Sequence, residues 1–242
     1  MACVTEPSVD AASAAPAAAA RPRRRRGFHV ALGLLALLVA TLLVFIWAHF
    51  GTFNPRTGRL NPSEHPLFFP VLMVHIAGST VAIVTCVLQV WPWLRRKHLR
   101  VHRMSGRLYV FAGVYPAALA SLAIVAFWPY SPLTGASDIL LSFLWLGITT
   151  YGYVLIRRHR VADHRRWMLR SFALTASTLI NQVLGPPLGL VLKPLLDTNF
   201  AGSTAVLDQT WSGIDGWLGW TLAFIAVEWW LEREQLRRSA RR

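Results

Sequence analysis

The chain has 242 residues, 54% of them hydrophobic and 15% charged, with eleven tryptophans and a formal net charge of +14. So apolar a bulk excludes an ordinary soluble domain, and the question raised by the basic excess becomes where the cations sit in a membrane, not which nucleic acid they bind. Two cysteines, Cys3 and Cys86, with no CxxC pair exclude a disulfide scaffold and a thiolate zinc site.

Residues 1–20, MACVTEPSVDAASAAPAAAA, show no amphipathic period and predict a disordered tail, which the basic run RPRRRR extends to residue 26 as a cytosolic segment. The apolar stretch 28–50 follows a pair of arginines that loosely matches a twin-arginine export signal. It is long for a signal core and lacks a small-residue cleavage site, so it is expected to remain as a first span. A span takes roughly 20 apolar residues. Six stretches qualify: 28–50, 67–94, 108–128, 138–156, 171–192 and 215–231. Lipid cannot satisfy backbone polar groups, so these are expected to be helices. The fold expected is an all-α integral membrane bundle of six transmembrane helices over 27–232, with a basic cytosolic tail over 233–242.

Orientation follows from the cations. With the N-terminus in the cytosol, all of the 25 lysines and arginines except Arg56, Arg59 and Lys193 fall on the cytosolic side, while Glu64, Asp138, Asp197, Asp208 and Asp215 fall outside. This is the positive-inside pattern, with both termini in the cytosol. Two of the cationic blocks, RRKHLRVHRMSGRLY at 95–109 and RRHRVADHRRWMLRS at 157–171, share an Arg-Arg-x5-His-Arg signature. Both are expected to be turns whose cations meet anionic lipid headgroups. That accounts for the arginines and leaves His102 and His164 to explain.

Along the second span His75, Ser79, Ala82, Cys86 and Gln89 share one helical face, and along the fifth His164, Met168, Ser171, Thr175, Thr178 and Gln182 do the same, with Asn181 beside them. In the third, His102, Gly106, Tyr109, Gly113 and Pro116 align next to Ala117 and Ala120, small residues that allow close helix approach. Polar side chains in hydrocarbon turn inward, so spans two, three and five are expected to face one another. Depth then sets His102, His164 and Gln89 near the cytosolic surface and brings His75 to Asn181 or Gln182. Gly185-Pro186-Pro187 is expected to interrupt the fifth span. Glu228 is read as snorkelling toward the charged end of the last span.

Several chemistries compete for these residues. A di-iron centre fails on its histidine count and on the surrounding positive charge. A b-type haem, or quinone-linked redox chemistry, would use His102 and His164 as cofactor ligands, with Arg103, Arg107, Arg165 and Arg170 facing the propionates. A carrier or binding protein for a small polar or amphipathic molecule would use His75, Gln89, Asn181 and Gln182 in a cavity between spans two, three and five. The structural alternative, helix adhesion through a Ser/Thr stripe, stays open beside both. No nucleic-acid partner is expected, and no Walker loop, GxSxG or HExxH motif supports a nucleotide enzyme or hydrolase.

HIAGSTVAIVTCVLQVWPWLRRKHLRVHRMSGRLY followed by HRRWMLRSFALT resembles the predicted bacterial membrane family catalogued as domain of unknown function 2306. His75, Gly78 and Gln89 stand where that pattern has its membrane histidine, glycine and glutamine. His102, Arg103, Gly106, Arg107 and Tyr109 form its first His-Arg turn, and His164, Arg165, Trp167, Met168, Arg170 and Ser171 its second. The resemblance covers about 69–190 and implies a multi-pass membrane protein with no established reaction; the first and last spans lie outside it.

Overall fold

The computed structural model describes residues 23–50, 66–127 and 130–240, with side chains from 30 onward except those of 31, 49 and 50. The 1–22 tail falls outside these residues. The described chain is helical throughout, without a strand. Its helices are α1 (Arg23–Phe50), α2 (Phe68–Val90), α3 (Pro92–Lys97), α4 (Leu99–Leu108), α5 (Tyr115–Phe127), α6 (Pro132–Arg157), α7 (Val161–Leu192), α8 (Leu196–Asn199) and α9 (Thr204–Ser239). Four stretches are long and apolar enough to cross a membrane: Phe68–Val90, Leu99–Phe127, Pro132–Arg157 and Val161–Asn199; the apolar part of α1, Leu32–Ala48, is shorter.

Apart from α2, which ends at Val90 ahead of Trp91-Pro92 and short of the expected 94, the helices run longer than the apolar stretches that announce them, because charged residues end a hydropathy window without ending a helix. The block at 95–109 is mostly helical, as α3 and the start of α4. The block at 157–171 is a turn only at Arg158, His159 and Arg160, where His159 adopts the left-handed conformation (φ 59°). Helix α6 starts six residues before the expected boundary. There Pro132 opens the first turn and the Ser131 hydroxyl accepts from the Thr134 amide at 3.2 Å. Ser203 caps α9 similarly through Val206 (3.3 Å). The double proline does not interrupt α7, which stays helical through Pro186 and Pro187. What the prolines remove is the pair of amide donors that the carbonyls of Gln182 and Val183 would otherwise bind.

α4 continues into α5 through one π-helical stretch, Tyr109–Val114, just ahead of Pro116. Tyr109 and Gly113 both point inward from it. Against this stretch α2 packs through small residues. A Cβ added to Gly113 would lie 2.9 Å from Ala82 Cα, and one added to Gly78 would lie 3.0 Å from the Gly113 oxygen and the Ala117 nitrogen. The backbones are in contact, as the small-residue reading of spans two and three requires. Gly113→Ala should therefore cost about 1 kcal/mol or more, read as a lower midpoint of unfolding in detergent; an unchanged midpoint would mean the seam opens freely.

α7 takes neighbours other than those expected. It packs mainly on α9 and α6, touches α2 less, and meets the third span chiefly through the Tyr109 side chain. The main core gathers Tyr109, Val114, Trp145, Ile148, Met168 and Trp220. A second, smaller one seats α1 through Val39 and Leu42 against Ile83 and Leu179.

Candidate functional site

Three polar assemblies occupy the bundle. The first is central and closed. Tyr109, fully buried, places its hydroxyl 2.6 Å from Ser171 Oγ and 2.7 Å from Thr175 Oγ1. Thr149 Oγ1 lies 2.6 Å from Ser171 Oγ, and the Trp145 indole donates to Thr175 Oγ1 at 3.1 Å. Thr175 also donates to the Ser171 carbonyl at 3.0 Å. One ordering of protons satisfies every group: Thr149 donates to Ser171, Ser171 to Tyr109, Tyr109 to Thr175, and Thr175 to the Ser171 carbonyl. This network joins the third span to α6 and α7, with no side chain from α2 among its members. Two of its members, Trp145 and Thr149, come from α6, which the reading of the stripes had left out.

The second assembly lies at the ends of α2, α4 and α7 that carry the cationic blocks. Gln89 donates to the His102 carbonyl (2.7 Å) and to Ser105 Oγ (2.6 Å), so it ties α2 to α4. His164 bonds through Nδ1 to the Gly152 carbonyl at 2.8 Å, which makes Nδ1 the donor and turns Nε2 away from that contact. His102 lies within electrostatic reach of His164, Arg95 and Arg103, and its buried Nδ1 has no hydrogen-bond partner. Arg103 and Arg107 are exposed. Arg165 and Arg170 are already paired. Arg165 reaches Glu234 at 3.0 Å and lies over Trp230, while Arg170 makes a two-pronged bond to Glu228 at 2.5 and 2.9 Å over Trp167. Glu228 therefore does not snorkel away from the bundle. Burial alone raises the Glu234 carboxyl, but the hydrogen bonds and charges of Arg165 and Arg238 outweigh it and hold the group below its ordinary pKa.

At the opposite end of the bundle is an open cleft of about 780 Å³ between α7 and α9, edged by Phe45 of α1 and lined by both apolar and polar side chains. The two helices run antiparallel here. Asn181 packs on Gly219, Gly185 faces the Asp215 carboxylate, and Gly189 meets the Trp211 indole. With its amide turned to satisfy its neighbours, Asn181 donates to the Ser177 and Asp215 carbonyls at 3.3 and 3.2 Å. Gln182 is exposed and lines the cleft, together with Lys193, Asp208 and Ser212. Asp215 Oδ1 is buried and has no partner. A second cleft of about 200 Å³, between α1, α2 and α7, is lined by apolar side chains and Cys86.

The expected ligand set is thus divided. His75 does not meet Asn181 or Gln182; its Nδ1 lies 2.9 Å from the Ala117 carbonyl of α5, across the glycine seam. Gln89 belongs to the other end of the bundle. Asn181 and Gln182 do share a cleft, with residues of the last helix that hydropathy alone had given no site. Trp211 forms one wall of it. Among the described residues no cluster of three His, Cys, Asp or Glu side chains stands ready for a metal ion.

Helices of membrane-spanning length, joined by short cationic turns and packed around buried hydroxyls, define a multi-pass membrane protein. The family described as predicted membrane protein (DUF2306) matches residues 72–211, and the chain belongs to it. That match takes in α2 through α7 and reaches the Trp211 wall of the cleft. No curated protein and no solved structure matches the chain.

Proposed function

We propose that this protein binds a small polar molecule in the α7–α9 cleft, as a membrane carrier or binding protein. One observation carries the reading: the unpartnered buried oxygen of Asp215 lies in the same cleft as the turn of α7 whose carbonyls Pro186 and Pro187 have stripped of donors. Freed helix carbonyls inside a membrane protein need protein, water or ligand as partners, and such backbone is tolerated where it lines a cavity. In this reading α1 and α9 complete six spans in a bacterial plasma membrane. Both termini lie in the cytosol, so the cleft opens to the outside. The exposed cations of α3 and α4, flanked by Trp91 and Trp93, meet anionic headgroups.

The test is a thermal-stability screen of the detergent-purified chain against small amines, amino acids, carboxylates and sugars. At least one class should raise the unfolding temperature saturably, and Gln182→Ala, at an exposed position, should weaken that rise. A screen without any shift, or one indifferent to Gln182→Ala, would remove the reading.

A haem between His102 and His164 is the second reading, favoured by the Gly152 carbonyl that orients His164 and by the unsatisfied Nδ1 of His102. Bound there, haem would supply one-electron chemistry; the chain would supply two imidazoles and the exposed Arg103 and Arg107, since Arg165 and Arg170 are engaged by glutamates. Neither cleft is lined by a histidine. A Soret band lost in His164→Ala would favour this reading over the carrier.

A further inference from the structure

The geometry points to a primary ammonium group as what the α7–α9 cleft binds, its nitrogen held by Asp215 and the freed Gln182 carbonyl of α7. This rests on the cleft being a binding site, and it assigns that site a ligand class.

The positions along the cleft follow from the contacts of its glycines. Asn181 and Gly219 mark its inner end, Gly185 and Asp215 come next, Gly189 and Trp211 follow, and the Lys193 ammonium stands 5.5 Å from the Trp211 ring centroid toward the other end. Asp208 lies two helical turns from Asp215 on the same face of α9. Donors line the cleft in the Gln182 amide and the Trp211 indole, but the charged group at the inner end, Asp215, accepts, and so do the groups beside it. The Asp215 carboxylate keeps a buried oxygen without a donor. The carbonyl of Gln182, a lining residue, has lost its donor to Pro186. Ser212 gives its proton to the Gln209 carbonyl at 3.2 Å and lies 3.3 Å from Thr134 Oγ1 of α6, which leaves it no donor for the cleft. The Asn181 amide is consumed by Ser177 and by the Asp215 backbone. A ligand that completes this end brings N–H donors and positive charge, and an –NH3+ group brings three donors. A carboxylate there would face Asp215, and a sugar would leave the charge unpaired. The volume of about 780 Å³ is far more than a bare ion needs, and the indole of Trp211 offers a cation a face on the way in. Lys193 already occupies the outer part of that face, which shows that the wall accepts an ammonium.

Two sources present this chemistry: a soluble amine, or the ethanolamine headgroup of a lipid entering sideways. The probe for the first is ethanolamine hydrochloride, titrated into the full-length protein in detergent against sodium chloride of equal ionic strength, with choline chloride and sodium butyrate alongside. Ethanolammonium should raise the unfolding temperature saturably, choline, which lacks N–H donors, much less, and butyrate not at all. Asp215→Asn should weaken apparent affinity about tenfold or more, in line with the loss of a charged hydrogen bond. Should Asp215→Asn fail to fold, the exposed Asp208→Asn should still weaken binding several-fold through the lost Coulomb field. Lys193→Met should leave ethanolammonium binding intact or tighter.

The lipid arm compares nanodiscs of phosphatidylethanolamine with phosphatidylcholine. Stabilisation by the former, lost in Asp208→Asn or Asp215→Asn, assigns the headgroup as source, and a response to soluble ethanolammonium alone assigns a free amine. A shift equal for choline and ethanolammonium, or indifferent to both aspartates, overturns the ammonium assignment. If butyrate or a sugar gives a shift sensitive to Gln182→Ala, the cleft stands as a binding site and only its ligand class falls. If no probe and no lipid gives a shift, both fall together.

Discussion

Tyr109→Phe is expected to destabilise the purified protein by about 2 kcal/mol, measured as the free energy of unfolding in mixed detergent micelles. Single interhelical hydrogen bonds in membrane proteins average only about 0.6 kcal/mol, because the separated helices find other partners. Tyr109 differs in number and in enclosure. Its hydroxyl has three side-chain neighbours, Ser171, Thr175 and Trp145, contributed by two other helices, and the whole residue is sealed from solvent. The smaller ring leaves Ser171 without the acceptor for its proton and removes one donor from Thr175. A cost near the single-bond average would show that the hydroxyls re-pair locally, and that the network is adhesive without being cooperative. Thr149→Val, at the start of the same proton order, supplies the comparison; coupling between the two substitutions would separate a chain of bonds from independent pairs.

The second large effect concerns Arg170 and Glu228. Arg170 keeps only 16% of its side-chain exposure, whereas Glu228 keeps 40%, so removal of the glutamate leaves a charge enclosed and removal of the arginine leaves one half in the open. Breaking a fully buried pair costs about 3–5 kcal/mol. The exposure of Glu228 reduces that figure, and Glu228→Ala should cost about 2 kcal/mol, more than Arg170→Met. The double substitution Arg170→Met with Glu228→Leu should recover most of the loss, because no charge is then left without its counter-ion. Additive losses in that cycle would mean that α9 is held by its apolar contacts alone.

The sequence made the faces of the helices legible far better than their partners. His75, Gly78, Ala82 and Gln89 share a side of α2, and that side does meet the third span, because glycine and alanine on both helices admit only each other's backbones. Ser171 and Thr175 turn inward as their spacing requires. Periodicity says nothing, however, about which neighbour fills a face. Asn181 and Gln182 belong to a part of α7 that turns toward α9, where Gly185, Gly189 and Gly219 admit that helix closely. Those glycines were the available signal: they recur on α7 and α9 as Gly78 and Gly113 do on α2 and the third span. The pairings of Arg165 with Glu234 and of Arg170 with Glu228 span 69 and 58 residues. Nothing local reveals them, so a glutamate in an apolar run looked like one escaping to the membrane surface. Both His-Arg blocks were visible; that Arg165 and Arg170 of the second are already paired with glutamates of the last helix was not.

Gln89 reaches His102 and Ser105, only 13 and 16 residues further along, while Tyr109 must wait for partners 62 and 66 residues away. During synthesis the α2–α5 hairpin can accordingly close, with its amide latch and glycine seam complete, before the ribosome has delivered α7. The late helices then dock onto a finished platform, and the tyrosine hydroxyl is the socket that stays open until they come.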